Sequence, residues 1–511
     1  MDPSGTTETS AWSERTSSLG RLDAPLCVAT GLLLVLSVAL WVTPYLPMVD
    51  LPQHAAQLSV WLHQGDATFA EPGRFLVNWR TPYLGAYLAA RVLAASFGVL
   101  AALKLVVWAS VSLHLTTFWA LVEKLGHSSW LGLLGLPLAL GYGFQFGFIS
   151  FVAAVPLGLF SITLALGHRE RPRLASGLWL ALTLCATLAT HGFLLGMTLA
   201  VAAPLLLRGG GRFSARVLPL LAPGLFAAVW LWPGSSAHAI GYTVWEPRLL
   251  DLLQVPALLI SASAVDHTAS WFGVLFLVLV TVCLGRPRRS LEHFLPLAFM
   301  LLGYCLFPLQ LGGFGPLHPR FVAFFVPCLL LAFEPRKIPW FEHVPELIVL
   351  SSLSWLTLFV ARLATFTRET EPVRDFIAQM PSGLSMRPIV FERSGEAFPG
   401  LPVMLHLSAY YAAEKGGRQG YSFAMYPTSA IRYSTNVVPT MSGGSEWHPE
   451  FFSPDELDDY ACVLVRSASD RRIELFRDRA SEVRLSFHEG DWWAYATPSS
   501  NESMPTNGKQ F

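Results

Sequence analysis

The chain has 511 residues, of which 53% are hydrophobic and 14% charged, with a mean hydropathy of +0.46 and a formal net charge of zero. Soluble domains average about 25% charged residues, so this composition excludes an ordinary soluble domain, and the neutral balance leaves no electrostatic footprint for nucleic acid. Several nearly uncharged apolar runs reach the length a helix needs to cross about 30 Å of hydrocarbon. The expected fold class is an all-α polytopic membrane bundle.

In chain order, a polar N-terminal tail (1–23) precedes the first apolar run, 24–46. That run has no small-x-small cleavage site before Asp50, so it reads as a retained span and not a signal peptide. Further spans are expected at 81–98, 100–121, 129–146, 148–167, 174–190, 192–207, 214–233, within 256–284, and at 291–311, 321–334 and 345–364. Basic residues mark cytoplasmic loops. HRERPR (168–173), RGGGRFSAR (208–216), GRPRRS (285–290) and EPRK (334–337) hold eleven Arg and Lys in alternate loops. With the N-terminus inside, that alternation fits eleven true spans and an external tail, provided one segment within 81–121 does not cross. The transmembrane domain is expected over 24–366, with a first external loop at 48–80.

The tail, 370–498, changes character. RPIVFE (387–392) and YACVLVRS (460–467) read as buried strands, and HLSAYYAAEKGG (406–417) as a helix ended by glycine. VRLSFHEGDWWAYAT (483–497) reads as a hairpin turning at 488–491. Together they predict a small external α/β domain, followed by a polar, disordered stretch at 499–511. Six cysteines (27, 185, 283, 305, 328 and 462) show neither disulfide spacing nor a CxxC metal pattern.

Polar residues gather at the external ends of the spans. In PMVDLPQHAAQ, Asp50 leaves the first span, Pro52 starts a new helix, and His54 lies one turn along with Gln53 beside it. Taken alone, Asp50 is an N-cap. In GYGFQFGFISFVAAVPLGL (141–159), Gln145 is the polar side chain among belt aromatics. His191 sits at a corner between two runs, and an ionisable group there marks either a cavity or a wet turn. Trp245, Glu246 and Arg248 share a loop, where a close Glu–Arg pair is ordinarily a solvated salt bridge. His318 and Arg320 lie where the chain re-enters the membrane from outside. An arginine there runs against the positive-inside bias and suits either a phosphate or a lipid headgroup. What points to a site is the co-location of acid, base and cation on one face.

This pattern resembles the GT-C superfamily of membrane glycosyltransferases, closest to bacterial protein-mannosyltransferase-like members. VDLPQHAAQ (49–57) sits where that superfamily keeps its catalytic acid, and FQFGFISFVAAVPLG (144–158) resembles a recurrent segment of related bacterial membrane proteins. The family's Asp-Glu or Asp-x-Asp pair is absent, which leaves a divalent metal without a supporting motif. The resemblance implies a protein of the bacterial cytoplasmic membrane that moves a sugar from a polyprenyl-phosphate-linked donor to a glycan, lipid or protein acceptor at the periplasmic face. Asp50 would be the base, His54 its partner, and Arg320 the phosphate clamp. Gln53, Gln145, His191, Trp245, Glu246, Arg248 and His318 are the expected substrate-binding residues. The competing readings are a lipid-linked glycan flippase, a polysaccharide polymerase or ligase, and a non-catalytic scaffold.

Overall fold

The computed structural model describes residues 24–69, 73–209, 212–231, 243–245, 250–311, 315–336, 342–434, 444 and 446–500. The principal helices are α1 (Ala24–Val42), α2 (Leu51–Leu62), α3 (Leu84–Phe97), α4 (Val99–Lys124), α5 (Ile149–Glu170), α6 (Leu174–Thr190), α7 (Gly192–Leu207), α8 (His267–Cys283), α9 (Leu291–Leu306), α10 (Val344–Glu369), α11 (Glu371–Gln379) and α12 (Ala409–Lys415). The strands are β1 (Phe75–Val77), β2 (Leu284–Pro287), β3 (Phe333–Pro335), β4 (Met386–Val390), β5 (Ile431–Tyr433), β6 (Cys462–Arg466), β7 (Arg484–Glu489) and β8 (Trp492–Ala496).

The bundle is apolar on both its inside and its outside. On α1, Leu34, Val38 and Val42 recur every fourth residue and are 62%, 63% and 72% exposed. Such a stripe is intolerable in water but is required of a helix facing lipid. Helices α1, α4, α5, α10 and the stretch Phe213–Trp230 are long and apolar enough to cross a membrane, with shorter apolar helices among them. Helix α3 has 14 residues, about 21 Å at 1.5 Å per residue. Within 81–121, therefore, only α4 has the length of a full crossing.

The expected straight span over 129–146 does not form. The chain there breaks into three short helical pieces, Ser129–Leu134, Gly135–Ala139 and Tyr142–Gln145. The reason is a backbone contact. Val49 N–H donates to the Gln145 carbonyl (3.0 Å) and Asp50 N–H to that of Phe146 (3.0 Å), so this segment runs beside the exit of α1. Gly147 makes the approach feasible: its φ is +80°, and a Cβ would stand 2.6 Å from the Asp50 nitrogen.

The basic loops meet at one end of the bundle. Glu292 binds Arg169 (3.0 Å) and lies 3.6 Å from Arg208, while β2 pairs with β3 and Arg288 reaches the carbonyls of Phe333 and Leu125. The segments carrying Asp50, His191 and Arg320 converge elsewhere, on a single cavity.

In the tail, β4 and β6 pair in parallel, and β8 and β7 continue the sheet antiparallel in the order β4-β6-β8-β7. Both β4 and β6 are buried at every residue, as expected of strands covered on both faces, and the one arginine inside β4, Arg387, is ion-paired to Glu456. The chain between them does not stay with the sheet. Helix α12, closed by Gly416 at φ +75°, packs on α2 through Ala56, Ala409 and Ala412. Tyr410 stacks on Tyr45 at 4.0 Å, and β5 pairs antiparallel with β1. One continuous apolar core therefore runs from the bundle into the tail.

Candidate active site

Asp50 occupies the N-cap position of α2, with Pro52 in the first turn, but its carboxylate does not cap the helix. The capping role expected of it is thus not taken up; the side chain lines the cavity instead and makes no hydrogen bond to any described residue. The cavity holds about 310 Å³, the size of a small-molecule site. Its walls come from the α1–α2 junction (Asp50, His54), the start of α3 (Tyr83, Tyr87), the aromatic segment (Phe146, Phe148, Phe151), the α6–α7 corner (His191), Arg320, and the tail (His406, Tyr421, Phe423, Trp447).

Burial pushes the Asp50 carboxyl up to about 7, although the positive charges of His406 and Arg320 pull the other way. The carboxylate form is costly in this environment but remains accessible near neutrality. His54 does not pair with Asp50 as expected. Its Nδ1 lies 2.5 Å from the Tyr87 hydroxyl, which also contacts Gln57, and its ring is further held by the Gly147 backbone. Burial pushes it down to about 3, with the Gly147 contact opposing and the charge of His406 reinforcing the effect. It is therefore a neutral wall residue at working pH.

Arg320 is held in place rather than neutralised. Its Nε donates to the Pro316 carbonyl (3.0 Å), its Nη1 lies 3.2 Å from His191 Nε2, and its guanidinium sits 4.3 Å from the centre of the Phe148 ring. No described carboxylate forms an ion pair with it. Two of its five N–H donors are engaged, which leaves the rest of the fork for an anion. His191 N-caps α7 through Nδ1, so the corner that the sequence marks with a histidine fixes the arginine's position.

Other sequence candidates fall outside the cavity wall. Gln145 is fully buried: its amide nitrogen donates to the carbonyls of Leu140 and Ile260, and its oxygen accepts from Ser261 and Ala262. It ties two segments together and has no capacity left for a ligand. Gln53 binds the backbone of Tyr421 and Phe423, thereby docking the tail. His318 is buried edge-on to Tyr304. Trp245 is 65% exposed, and Glu246 and Arg248 lie outside the described residues. Among the described residues no cluster suited to a metal ion occurs.

From the sequence the tail is expected to recognise the acceptor or cover the site, but none of its residues is singled out. His406 pairs with Glu446, stacks on Tyr421 at 5.2 Å, and meets Phe423 and Trp447 edge-on. The only sequence signal was a histidine preceding a helix.

No family model and no curated protein matches the chain. Its fold is nevertheless similar to that of a solved structure. The likeness is to the crystal structure of ArnT from Cupriavidus metallidurans bound to undecaprenyl phosphate: the TM-score is 0.53 at 10% identity, covering 92% of this chain and 97% of that one. At such identity the likeness is one of fold, and the roles of individual residues rest on the geometry above.

Proposed function

We propose that the protein transfers a sugar from a polyprenyl-phosphate-linked donor to an acceptor at the external, periplasmic face. One observation carries this reading: a carboxylate without a hydrogen-bond partner and an arginine without a carboxylate, among the described residues, face the same aromatic cavity. The acceptor hydroxyl gives its proton to Asp50 as its oxygen bonds to the anomeric carbon. The bond from that carbon to the phosphate oxygen breaks, and its electron pair leaves on the lipid phosphate. Arg320, already positioned by His191 and Pro316, meets the charge that develops there. Phe146, Phe148 and Phe151 offer the apolar wall that a sugar on a lipid carrier requires.

The test is transfer by the purified chain from polyprenyl-phosphate sugars, with Asp50→Asn beside the wild type. Removing the base is expected to lower turnover by about 10²–10⁴-fold. Equal transfer by both proteins rejects Asp50 as the base. Two-way movement of the lipid-linked sugar in proteoliposomes, without a new glycosidic bond, would establish the flippase reading instead.

A further inference from the structure

The Glu446–His406 pair is built at a cost that packing alone does not explain. His406 adopts φ +65°, a left-handed backbone uncommon outside glycine, and such conformations persist where the surroundings enforce them. Here the enforcing group is one carboxylate. The His406 backbone N–H donates to Glu446 Oε1 (2.8 Å), and its Nδ1 lies 2.6 Å from Oε2. Both residues are buried, at 4% and 1% exposure. The ring is clamped flat on Tyr421. With Nδ1 taken by Glu446, the opposite edge, Nε2, makes no hydrogen bond to any described residue, and His406 lines the cavity that holds Asp50.

We infer that the Glu446–His406 pair is the built-in counter-ion of Asp50, a positioning residue and its anchor, delivered by the tail to keep the catalytic carboxylate charged. This deepens the glycosyltransferase reading and rests on it. Burial opposes charge on His406, but the adjoining Glu446 carboxylate outweighs it and raises the imidazole above its ordinary value, with Asp50 acting in the same direction. Asp50 in turn feels His406 ahead of Arg320 among the groups that favour its ionised form. The other titratable groups coupled to these two are His54 on α2, Tyr87 on α3, Tyr142 beside the aromatic segment, and Tyr421 in the tail. Among these, only Arg320 and the His406 imidazolium carry positive charge. Arg320 is committed to the departing phosphate, so His406 remains to balance Asp50.

The experiment titrates Asp50 directly, without a substrate. The full chain in lipid nanodiscs is followed by infrared spectroscopy, and the protonated-carboxyl band of Asp50 is identified by its loss in Asp50→Asn. Loss of an opposite charge close by raises a carboxyl by about 1 unit or more. His406→Gln is therefore expected to move the Asp50 midpoint upward by about 1 pH unit. Glu446→Gln should move it the same way, because a buried imidazole without its carboxylate sheds its proton, and Glu446→Asp should restore it. A purely structural role would lower the melting temperature and leave the midpoint unmoved, and that result overturns the inference. If His406→Gln does not fold, Glu446→Gln decides, since it preserves the side-chain shape. The transfer assay fails or succeeds separately: absence of transfer by the wild type removes the glycosyltransferase reading, and equal transfer by Asp50→Asn removes Asp50 as its base, whereas an unmoved infrared midpoint removes only the counter-ion.

Discussion

Asp50 shows why a buried carboxyl is a burden to the protein that keeps it. Its folded-state value of about 7 stands above the ordinary value of 3.8, so the protonated form is the one that folding favours. The stability contributed by that proton is fully present below about pH 4 and is lost as pH rises through about 7. Asp50→Asn, which is always neutral, is expected to melt above the wild type at pH 8, and the gap should close only below the unfolded value, by about pH 3. At 1.36 kcal/mol per unit the gain is roughly 1–4 kcal/mol, the upper end assuming a dry cavity. Thermal melts at the two pH values check this, and an unchanged gap would remove burial as the cause. Asp50 and Arg320 were legible in the sequence because a charged residue at the end of a greasy run stands out. Gln145 stood out for the same reason, yet its amide is spent on backbone, because polarity is written in the sequence and direction is not. His406 was hidden because its partner Glu446 lies 40 residues away and its backbone conformation has no local signature.

Among the elements, the junction between α8 and α10 most clearly sets where the tail begins. Asp266 caps α8 by accepting from the Ala269 N–H (3.0 Å), and it also forms a two-point ion pair with Arg362 of α10. Both partners are largely buried, at 3% and 11% side-chain exposure. Breaking such a pair from one side strands the other charge, at about 3–5 kcal/mol, and the lost cap adds about 1 kcal/mol. Asp266→Ala should therefore lower the melting temperature far more than Glu371→Ala, whose partner Arg374 is exposed. Comparable losses in the two variants would show that the buried pair contributes little. Periodicity and glycine placement made α1, α4, α5 and α12 readable. The break-up of 129–146 was not readable, since it follows from contact with Val49 and Asp50 and not from the segment's own composition.

Across the whole molecule, the tail is a wall of the site as much as a domain beside it. The strands of the sheet β4-β6-β8-β7 all come from the tail, and its strands and hairpin were visible in the sequence as apolar runs and a turn. The excursion between β4 and β6 was not visible, because a helix that docks on a distant loop has the same pattern as one that docks on its own sheet. The β1–β5 ladder places Leu76 opposite Arg432. Cysteines at the two positions, Leu76→Cys with Arg432→Cys, should join under mild oxidation, since facing strand positions lie within disulfide reach. Mass spectrometry after alkylation should find two fewer free thiols than in the reduced protein. Failure to join would mean that the tail does not rest on the first loop.

The stack of Tyr410 on Tyr45 joins a residue translated among the first fifty to one translated in the final fifth of the polypeptide. A ribosome that stalls after α10 would release a membrane-embedded product bearing Asp50 and Arg320 but neither Tyr421 nor His406. The cavity is therefore finished only when synthesis is nearly over, so a nascent or truncated copy holds the Asp50 carboxyl in an unroofed state.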